Sequence, residues 1–238
     1  RLIVGEVGKP TLKKFDLLES KISEIAISQD GLQVVCGHEN GQLTYWKSLE
    51  QEPYQLSVTE RNTVQSLAFG RQLHWPEGAA SPKFHWLLAA GFEGGTIQIW
   101  DLERRIPQSY CRGSSYGVYV VKFSPDATVL ASGGRYGTRL WDVSTGNKLL
   151  HLDEGDFISG LSFSADGSKL AVSSTKVFAP GQVLLWELHS GRGVSSYRGL
   201  TNPIAKVILS PDSKLLAALS QDWRIAVWER ESGHLKYL

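Results

Sequence analysis

The 238-residue sequence contains no methionine and only two cysteines. Two cysteines in a domain of this size provide neither a disulfide framework nor the spacing of a zinc site, so we expect Cys36 and Cys111 to be reduced thiols of a cytoplasmic protein. The absence of methionine from a chain that starts with Arg1 indicates a piece of a longer protein.

Long apolar runs and an excess of one sign of charge are also missing. No apolar stretch approaches the roughly 20 residues that a membrane helix needs. The 25 Lys and Arg residues and 24 Asp and Glu residues give a net charge of +1, so the chain has no general attraction for nucleic acid or anionic lipid. We therefore expect neither a membrane nor a nucleic-acid partner. The oligomeric state is left open.

Tryptophan, in contrast, recurs at regular intervals. A short apolar run ends in tryptophan five times, with intervals of 54, 41, 45 and 42 residues, at Trp46, Trp100, Trp141, Trp186 and Trp228. Intervals of about 40 to 45 residues are typical of the four-stranded blades of a propeller. The longer first interval predicts an insertion, which we place at residues 70–83.

The segments between the tryptophans repeat one order of elements. An alternating strand is followed by a tight turn, a strand of small residues, a glycine turn and a strand that ends in tryptophan. Turns such as Ser124-Pro125-Asp126 suit a hairpin bend, because proline presets φ and the Ser and Asp side chains bond locally. No segment has the apolar stripe of a long helix, so the sequence predicts an all-β fold.

The third strands carry a family resemblance. Ile99-Trp100-Asp101 and Leu140-Trp141-Asp142 resemble the Trp-Asp dipeptide of WD-repeat proteins, and the resemblance covers almost the whole chain. Residues 2–5 and 11–16 are similar to a second and a third strand, with Phe15-Asp16 in place of Trp-Asp. The family often adds a Gly-His pair and a turn aspartate that is bonded to the tryptophan through Ser or Thr. Asp222 is the one turn aspartate retained.

The resemblance implies a β-propeller with five nearly complete four-stranded blades and a half-blade, within a ring of six or seven. We expect residues 1–238 to form a single propeller domain or a segment of one, with the half-blade at 1–17 and repeats at about 21–58, 59–110, 111–152, 153–198 and 199–238. The residues expected to define the repeat structurally are Phe15, Asp16, Trp46, Trp100, Asp101, Trp141, Asp142, Trp186 and Trp228.

Residues capable of chemistry are not arranged in known motifs. No pair of the six histidines has zinc spacing, and no nucleophile elbow or phosphate-binding loop occurs. The pairs Gly94-Gly95 and Gly133-Gly134 do not open a helix and are interpreted as hairpin turns. Asp153, Glu154 and Asp156 could bind a hard cation, although a solvated loop explains them better. We therefore expect no metal, no cofactor and no enzymatic activity.

The resemblance also implies a binding face. Partners of this family often dock on the loops that lead into the first strands and on the turns between second and third strands. Aromatic and arginine side chains are enriched at interaction hot spots. The candidates at these positions are Arg61, Phe92, Tyr116, Tyr119, Arg135, Tyr136, Phe178 and Trp223. The alternative for the tyrosines is packing between blades.

We therefore predict a non-catalytic scaffold or sensor domain that binds a protein or peptide within a larger multidomain protein. One alternative is a propeller that recognises a peptide in its central channel, which predicts a loss of binding when Tyr136 or Trp223 is changed. The other is the non-catalytic portion of a larger enzyme.

Overall fold

The computed structural model describes residues 2–5, 12–15, 20–48, 52–74, 81–113, 116–152, 157–175 and 180–238. Over these ranges the chain consists of β-strands and turns, and no helix occurs. The strands form one two-stranded and five four-stranded antiparallel sheets, which confirms the all-β prediction.

The strands follow chain order within each sheet. The two-stranded sheet contains β1 (Leu2–Gly5) and β2 (Leu12–Phe15). The first four-stranded sheet contains β3 (Ile22–Ile27), β4 (Val34–His38), β5 (Leu43–Trp46) and β6 (Tyr54–Leu56). The second contains β7 (Val64–His74), β8 (Lys83–Phe92), β9 (Ile97–Asp101) and β10 (Ile106–Cys111).

The third sheet contains β11 (Val118–Phe123), β12 (Val129–Gly134), β13 (Gly137–Asp142) and β14 (Lys148–Leu152). The fourth contains β15 (Phe157–Phe163), β16 (Lys169–Thr175), β17 (Gln182–Glu187) and β18 (Arg192–Tyr197). The fifth contains β19 (Ile204–Leu209), β20 (Leu215–Ser220), β21 (Ile225–Glu229) and β22 (Leu235–Tyr237).

The first strands connect the sheets in series. β3 contacts β7, β7 contacts β11, β11 contacts β15, and β15 contacts β19. Each sheet therefore has its first strand innermost and its fourth strand outermost, which is the arrangement of propeller blades. One end of the sheets carries the starts of the first strands and the turns between second and third strands. We call this end the upper face.

Glycines in the second strands permit close packing between sheets. A Cβ atom on Gly37 would lie 2.5 Å from Val64, and one on Gly91 would lie 2.5 Å from Val118. A Cβ atom on Gly133 would lie 2.4 Å from Ile158. In each case the branched residue belongs to the first strand of the next sheet, so a larger residue at the glycine position would force the two sheets apart.

Each first strand contains one bulge at the same place. The register between the first and second strands shifts by one residue near the upper face in all five sheets. A bulge leaves one extra residue without a partner in the ladder. The extra residues are Ser23, Gln65, Tyr119, Ser159 and Ala205.

Serine and aspartate close the turns at the opposite, lower face. In the turn that starts at Ser164, the Ser164 hydroxyl donates to Asp166 Oδ1 at 2.5 Å, and the Ser168 amide donates to the same oxygen at 3.0 Å. The turns that start at Ser28, Ser124 and Ser210 repeat this pattern. These residues are therefore structural, as their turn chemistry predicts.

The repeat-closing tryptophans pack in the sheets. Trp46, Trp100, Trp141 and Trp228 are at most 1 % exposed, while Trp186 is partly buried. Trp141 Nε1 donates to Ser132 Oγ at 2.8 Å, which preserves part of the hydrogen-bonded pattern of the family. Asp142 Oδ1, which follows this tryptophan, accepts the Thr145 amide at 2.8 Å and so caps the next turn.

The second sheet extends beyond its neighbours. β7 and β8 remain paired as far as His74 and Lys83. Residues 70–74 and 83, expected to form part of an insertion, therefore continue the ladder, and the connection between the two strands is shorter than the sequence predicted.

The interval between the two-stranded sheet and β3 indicates a different strand position from the one that the Phe15-Asp16 motif predicts. β2 starts ten residues before β3, and β6, a fourth strand, starts ten residues before β7. This interval favours the fourth-strand position for β2, whereas the Phe15-Asp16 motif favoured the third. Phe15 ends β2, and Asp16 lies outside the described residues.

Candidate functional site

One arginine and four aromatic side chains form a cluster on the upper face of the third and fourth sheets. The guanidinium carbon of Arg135 lies 5.5 Å from the ring centroid of Tyr116, and 5.3 Å from those of Tyr136 and Phe157. Tyr116 and Tyr136 meet edge to face at 5.2 Å, and Tyr119 stacks on Phe157 at 6.3 Å. We call these five residues the Arg135 cluster.

The cluster is open to solvent. Tyr116, Tyr119 and Tyr136 are 45 %, 40 % and 46 % exposed, and Arg135 is also exposed. Rings stack on the flat face of a guanidinium, whereas its N–H donors lie in its plane. Arg135 forms no ion pair with any residue that the structure describes. A partner carboxylate could therefore bind at its edge while the rings hold its face.

The turn between β12 and β13 fixes the centre of the cluster. Gly134 pairs with Gly137, so Arg135 and Tyr136 form a tight two-residue turn. Tyr136 has φ of 68°, a left-handed conformation that is unusual for a bulky side chain. A hydrogen bond of 3.1 Å joins His151 Nε2 to the Tyr136 carbonyl oxygen. The turn is therefore held in place by the neighbouring fourth strand.

A second contact joins the turn to the next sheet. Arg135 and Phe157 form an antiparallel bridge between the third and fourth sheets. The bridge brings the Phe157 ring beside Arg135, although these residues are 22 positions apart in the sequence. Tyr119 is the extra residue of the β11 bulge. The cluster therefore depends on contacts between two sheets and not on one loop.

The other predicted contact residues do not join this cluster. Arg61 is exposed beside the turn at Gly41 on the upper face. Trp223 is 84 % exposed in the equivalent turn of the fifth sheet. Phe92 is fully buried in the core that includes Leu88 and Trp100, so its ring is not part of the surface. Phe178 lies outside the described residues.

Three charged residues on the first strands of different sheets interact electrostatically. Burial raises the pKa of Glu24, and the positive charges of Lys206 and Lys122 oppose this rise. These residues belong to the first, fifth and third sheets. A cavity of about 490 Å³ near the lower face is lined by Glu24 and Lys122 together with Arg71, Trp86 and Phe123.

The cysteines are free and buried. Burial raises the pKa of the Cys36 thiol to about 11 and, together with the charge of Asp142, that of Cys111 to about 12. The thiols are therefore protonated at neutral pH. Within the described ranges no group of three or more His, Cys, Asp and Glu residues could hold a metal ion. No helix in this part of the chain is long and apolar enough to cross a membrane.

Comparison with known proteins places these features in a family context. A family model described as "WD domain, G-beta repeat" matches residues 106–142, which run from β10 to the end of β13. The unit of the family model therefore starts at the outer strand of one sheet and ends at the third strand of the next.

Three relatives have related sequences. WD repeat-containing protein SL1-17 of Schistosoma mansoni is 34 % identical over 152 residues, which cover 63 % of this chain and 48 % of that protein. Target of rapamycin complex subunit LST8 of Saccharomyces cerevisiae is 27 % identical over 221 residues, or 88 % of this chain and 67 % of that protein. WD repeat and SOCS box-containing protein 1 of Homo sapiens is 28 % identical over 138 residues, which cover 56 % of this chain and 32 % of that protein. The aligned chain thus spans about half of the first relative and about a third of the last.

Proposed function

Because the chain belongs to the WD-repeat family of β-propeller proteins, we propose that it is a non-catalytic platform that binds a protein partner through its upper face. The observation that carries this proposal is the Arg135 cluster. Tyrosine and arginine are enriched among the residues that dominate binding energy at protein interfaces. Here one arginine and three tyrosines are exposed at one place.

The rigidity of the cluster supports the same role. The Arg135 side chain is packed among three rings, and the turn that carries it is bonded to His151 and bridged to Phe157. Side chains that are already ordered lose less conformational entropy when a partner binds. The cluster is therefore preorganised for binding.

The relatives support a role within a larger protein or assembly. The yeast relative is, by its name, a subunit of the target of rapamycin complex. By analogy, we infer that this propeller is an interaction domain of a larger cytoplasmic protein. Its two free cysteines agree with a reducing compartment.

The proposal is tested by affinity capture from a cell lysate, with quantitative mass spectrometry of the captured proteins. The proteins captured by the wild-type chain are compared with those captured by Arg135→Ala and by Tyr136→Ala. Truncation of a hot-spot residue costs at least about 2 kcal/mol, so both variants should bind the specific partner roughly 30-fold more weakly.

The matched control is Arg192→Ala, which removes an exposed arginine from the outermost strand of the fourth sheet. This variant should capture the same proteins as wild type. Equal capture by Arg135→Ala, Tyr136→Ala and wild type would show that the Arg135 cluster is not the binding surface.

A second candidate is recognition of a peptide in the channel, which the grouping of Glu24, Lys122 and Lys206 favours. The cavity lined by Glu24, Lys122 and Trp86 could accept an extended acidic segment. Lys206→Ala and Lys122→Ala separate the two candidates. Loss of a partner in these variants, with retention in Arg135→Ala, would favour the channel.

A further inference from the structure

Trp223 combines two unfavourable features in one residue. Its side chain is 84 % exposed, more than any other large hydrophobic side chain that the structure describes. Its backbone has φ of 66°, in the left-handed region. The matching positions of the first and second sheets are Gly41 and Gly95, with φ of 86° and 84°. In all three turns the amide of this residue donates to the carbonyl oxygen three residues earlier.

The turn itself requires neither feature. A left-handed conformation is unfavourable for a bulky residue and costs glycine almost nothing. Exposure of an indole to water is unfavourable as well. Glycine would satisfy this turn at a lower free energy, as it does at Gly41 and Gly95. A bulky residue that keeps a left-handed conformation where glycine would serve favours a hypothesis of function.

The turn holds Trp223 in a defined position. The Asp222 carboxylate accepts hydrogen bonds from Ser220 Oγ and, at 2.7 Å, from Asn202 Nδ2. Arg224 Nε lies 3.4 Å from the same carboxylate. Groups before, within and after the turn therefore fix the loop, so the indole is presented with little further loss of backbone freedom.

We propose that Trp223 is an anchor that inserts into an apolar pocket on a folded partner protein. A convex turn with a largely uncovered ring cannot enclose a ligand, so the partner must supply the concave surface. The pocket should be of indole size and should carry an acceptor for the Nε1–H group. The paired charges of Asp222 and Arg224 would form a polar rim around this contact. The inference rests on the proposed function, because the turn lies on the same upper face as the Arg135 cluster.

The test begins with Trp223→Gly and Trp223→Phe. Trp223→Gly relieves the left-handed strain, so its melting temperature should equal or exceed that of wild type. Trp223→Phe keeps the strain with a smaller ring. A lower melting temperature for Trp223→Gly would identify a structural role for the indole and would overturn the inference.

The partner is trapped with a photo-crosslinking amino acid at position 221, which is exposed beside the anchor. Mass spectrometry should find the cross-link on the rim of an apolar pocket of a folded protein. The dissociation constant of that purified protein is then measured for each variant. Trp223→Gly should weaken binding about 100-fold and Trp223→Phe less.

Three results would overturn the inference: a cross-link within the chain itself, a cross-link to a disordered peptide, or an unchanged dissociation constant for Trp223→Gly. If Arg135→Ala weakens binding of the same protein and Trp223→Gly does not, the proposed function stands and the anchor fails. If neither variant weakens it, both fail.

Discussion

At the residue scale, the buried tryptophans combine apolar packing with one polar requirement. Trp141 is 1 % exposed, and its Nε1–H group donates to Ser132 Oγ inside the sheet. A buried donor without a partner is costly, because it has lost its hydrogen bonds to water. The indole therefore stabilises the blade through its area and requires the serine for its nitrogen.

Ser132→Ala should reduce the free energy of unfolding by about 1 to 3 kcal/mol, because it leaves the Trp141 nitrogen unpaired in the core. Trp141→Ala should reduce it by about 3 to 5 kcal/mol. Urea unfolding followed by circular dichroism measures both. The control Ser196→Ala changes an exposed strand serine and should lie within about 0.5 kcal/mol of wild type. A Ser132→Ala variant as stable as this control would contradict the role of the hydrogen bond.

At the scale of elements, the second-strand glycines set the distance between neighbouring sheets. The Gly133 position meets Ile158 Cγ2 and Val120 Cγ1, which belong to packed first strands. Neither atom is at the end of a flexible side chain. A single added methyl group therefore acts on the relative position of two sheets.

Gly133→Ala should reduce the free energy of unfolding by about 1 to 3 kcal/mol, the usual range for overpacking. Gly193→Ala is the matched control, because its nearest neighbour would lie 3.9 Å from the new carbon. This control should be neutral or stabilising by up to about 1 kcal/mol. In an Ile158→Ala background the cost of Gly133→Ala should fall. Equal effects of the two glycine changes in urea unfolding would exclude the steric explanation.

The elements were largely predictable from the sequence, and the site only in part. The intervals between tryptophans predicted the third strands, because a buried ring is needed once in each sheet. The burial of Phe92 could not be predicted from its turn position, because it ends a strand whose last seven residues are all buried. The place of Phe157 in the cluster was also not predictable, because a bridge between two sheets brings it to Arg135.

At the scale of the whole molecule, the aspartates of the lower-face turns together make the stability of the fold depend on pH. The Ser164 hydroxyl and then the Ser168 amide lower the pKa of Asp166, and the Ser210 hydroxyl and then the Lys214 amide lower that of Asp212. A carboxylate whose pKa is lower in the folded state stabilises the fold above its unfolded pKa of about 3.9. This stabilisation is lost as the pH falls towards the folded value.

The free energy of unfolding should therefore be steady near neutral pH and should decrease from about pH 4 downwards. The free energy of unfolding of Asp166→Asn should decrease less steeply over this range, because the variant lacks one of the carboxylates whose protonation is linked to unfolding. Urea unfolding at a series of pH values between 7 and 2 measures the slope. Glu93→Gln, an exposed change on the upper face, should keep the wild-type slope. An unaltered slope in Asp166→Asn would count against this origin of acid sensitivity.

The five bulges of the first strands have a consequence for how such a protein can diversify. Each bulge residue stands outside the ladder, so its identity can change without altering the pairing of the sheet. Ser23, Gln65, Ser159 and Ala205 occupy four of these positions, and Tyr119, part of the exposed cluster, occupies the fifth. The upper face thus has five positions that can vary on a constant arrangement of strands. Duplicated genes could therefore change these five residues separately and acquire new partners while the strand pairing within each sheet is kept.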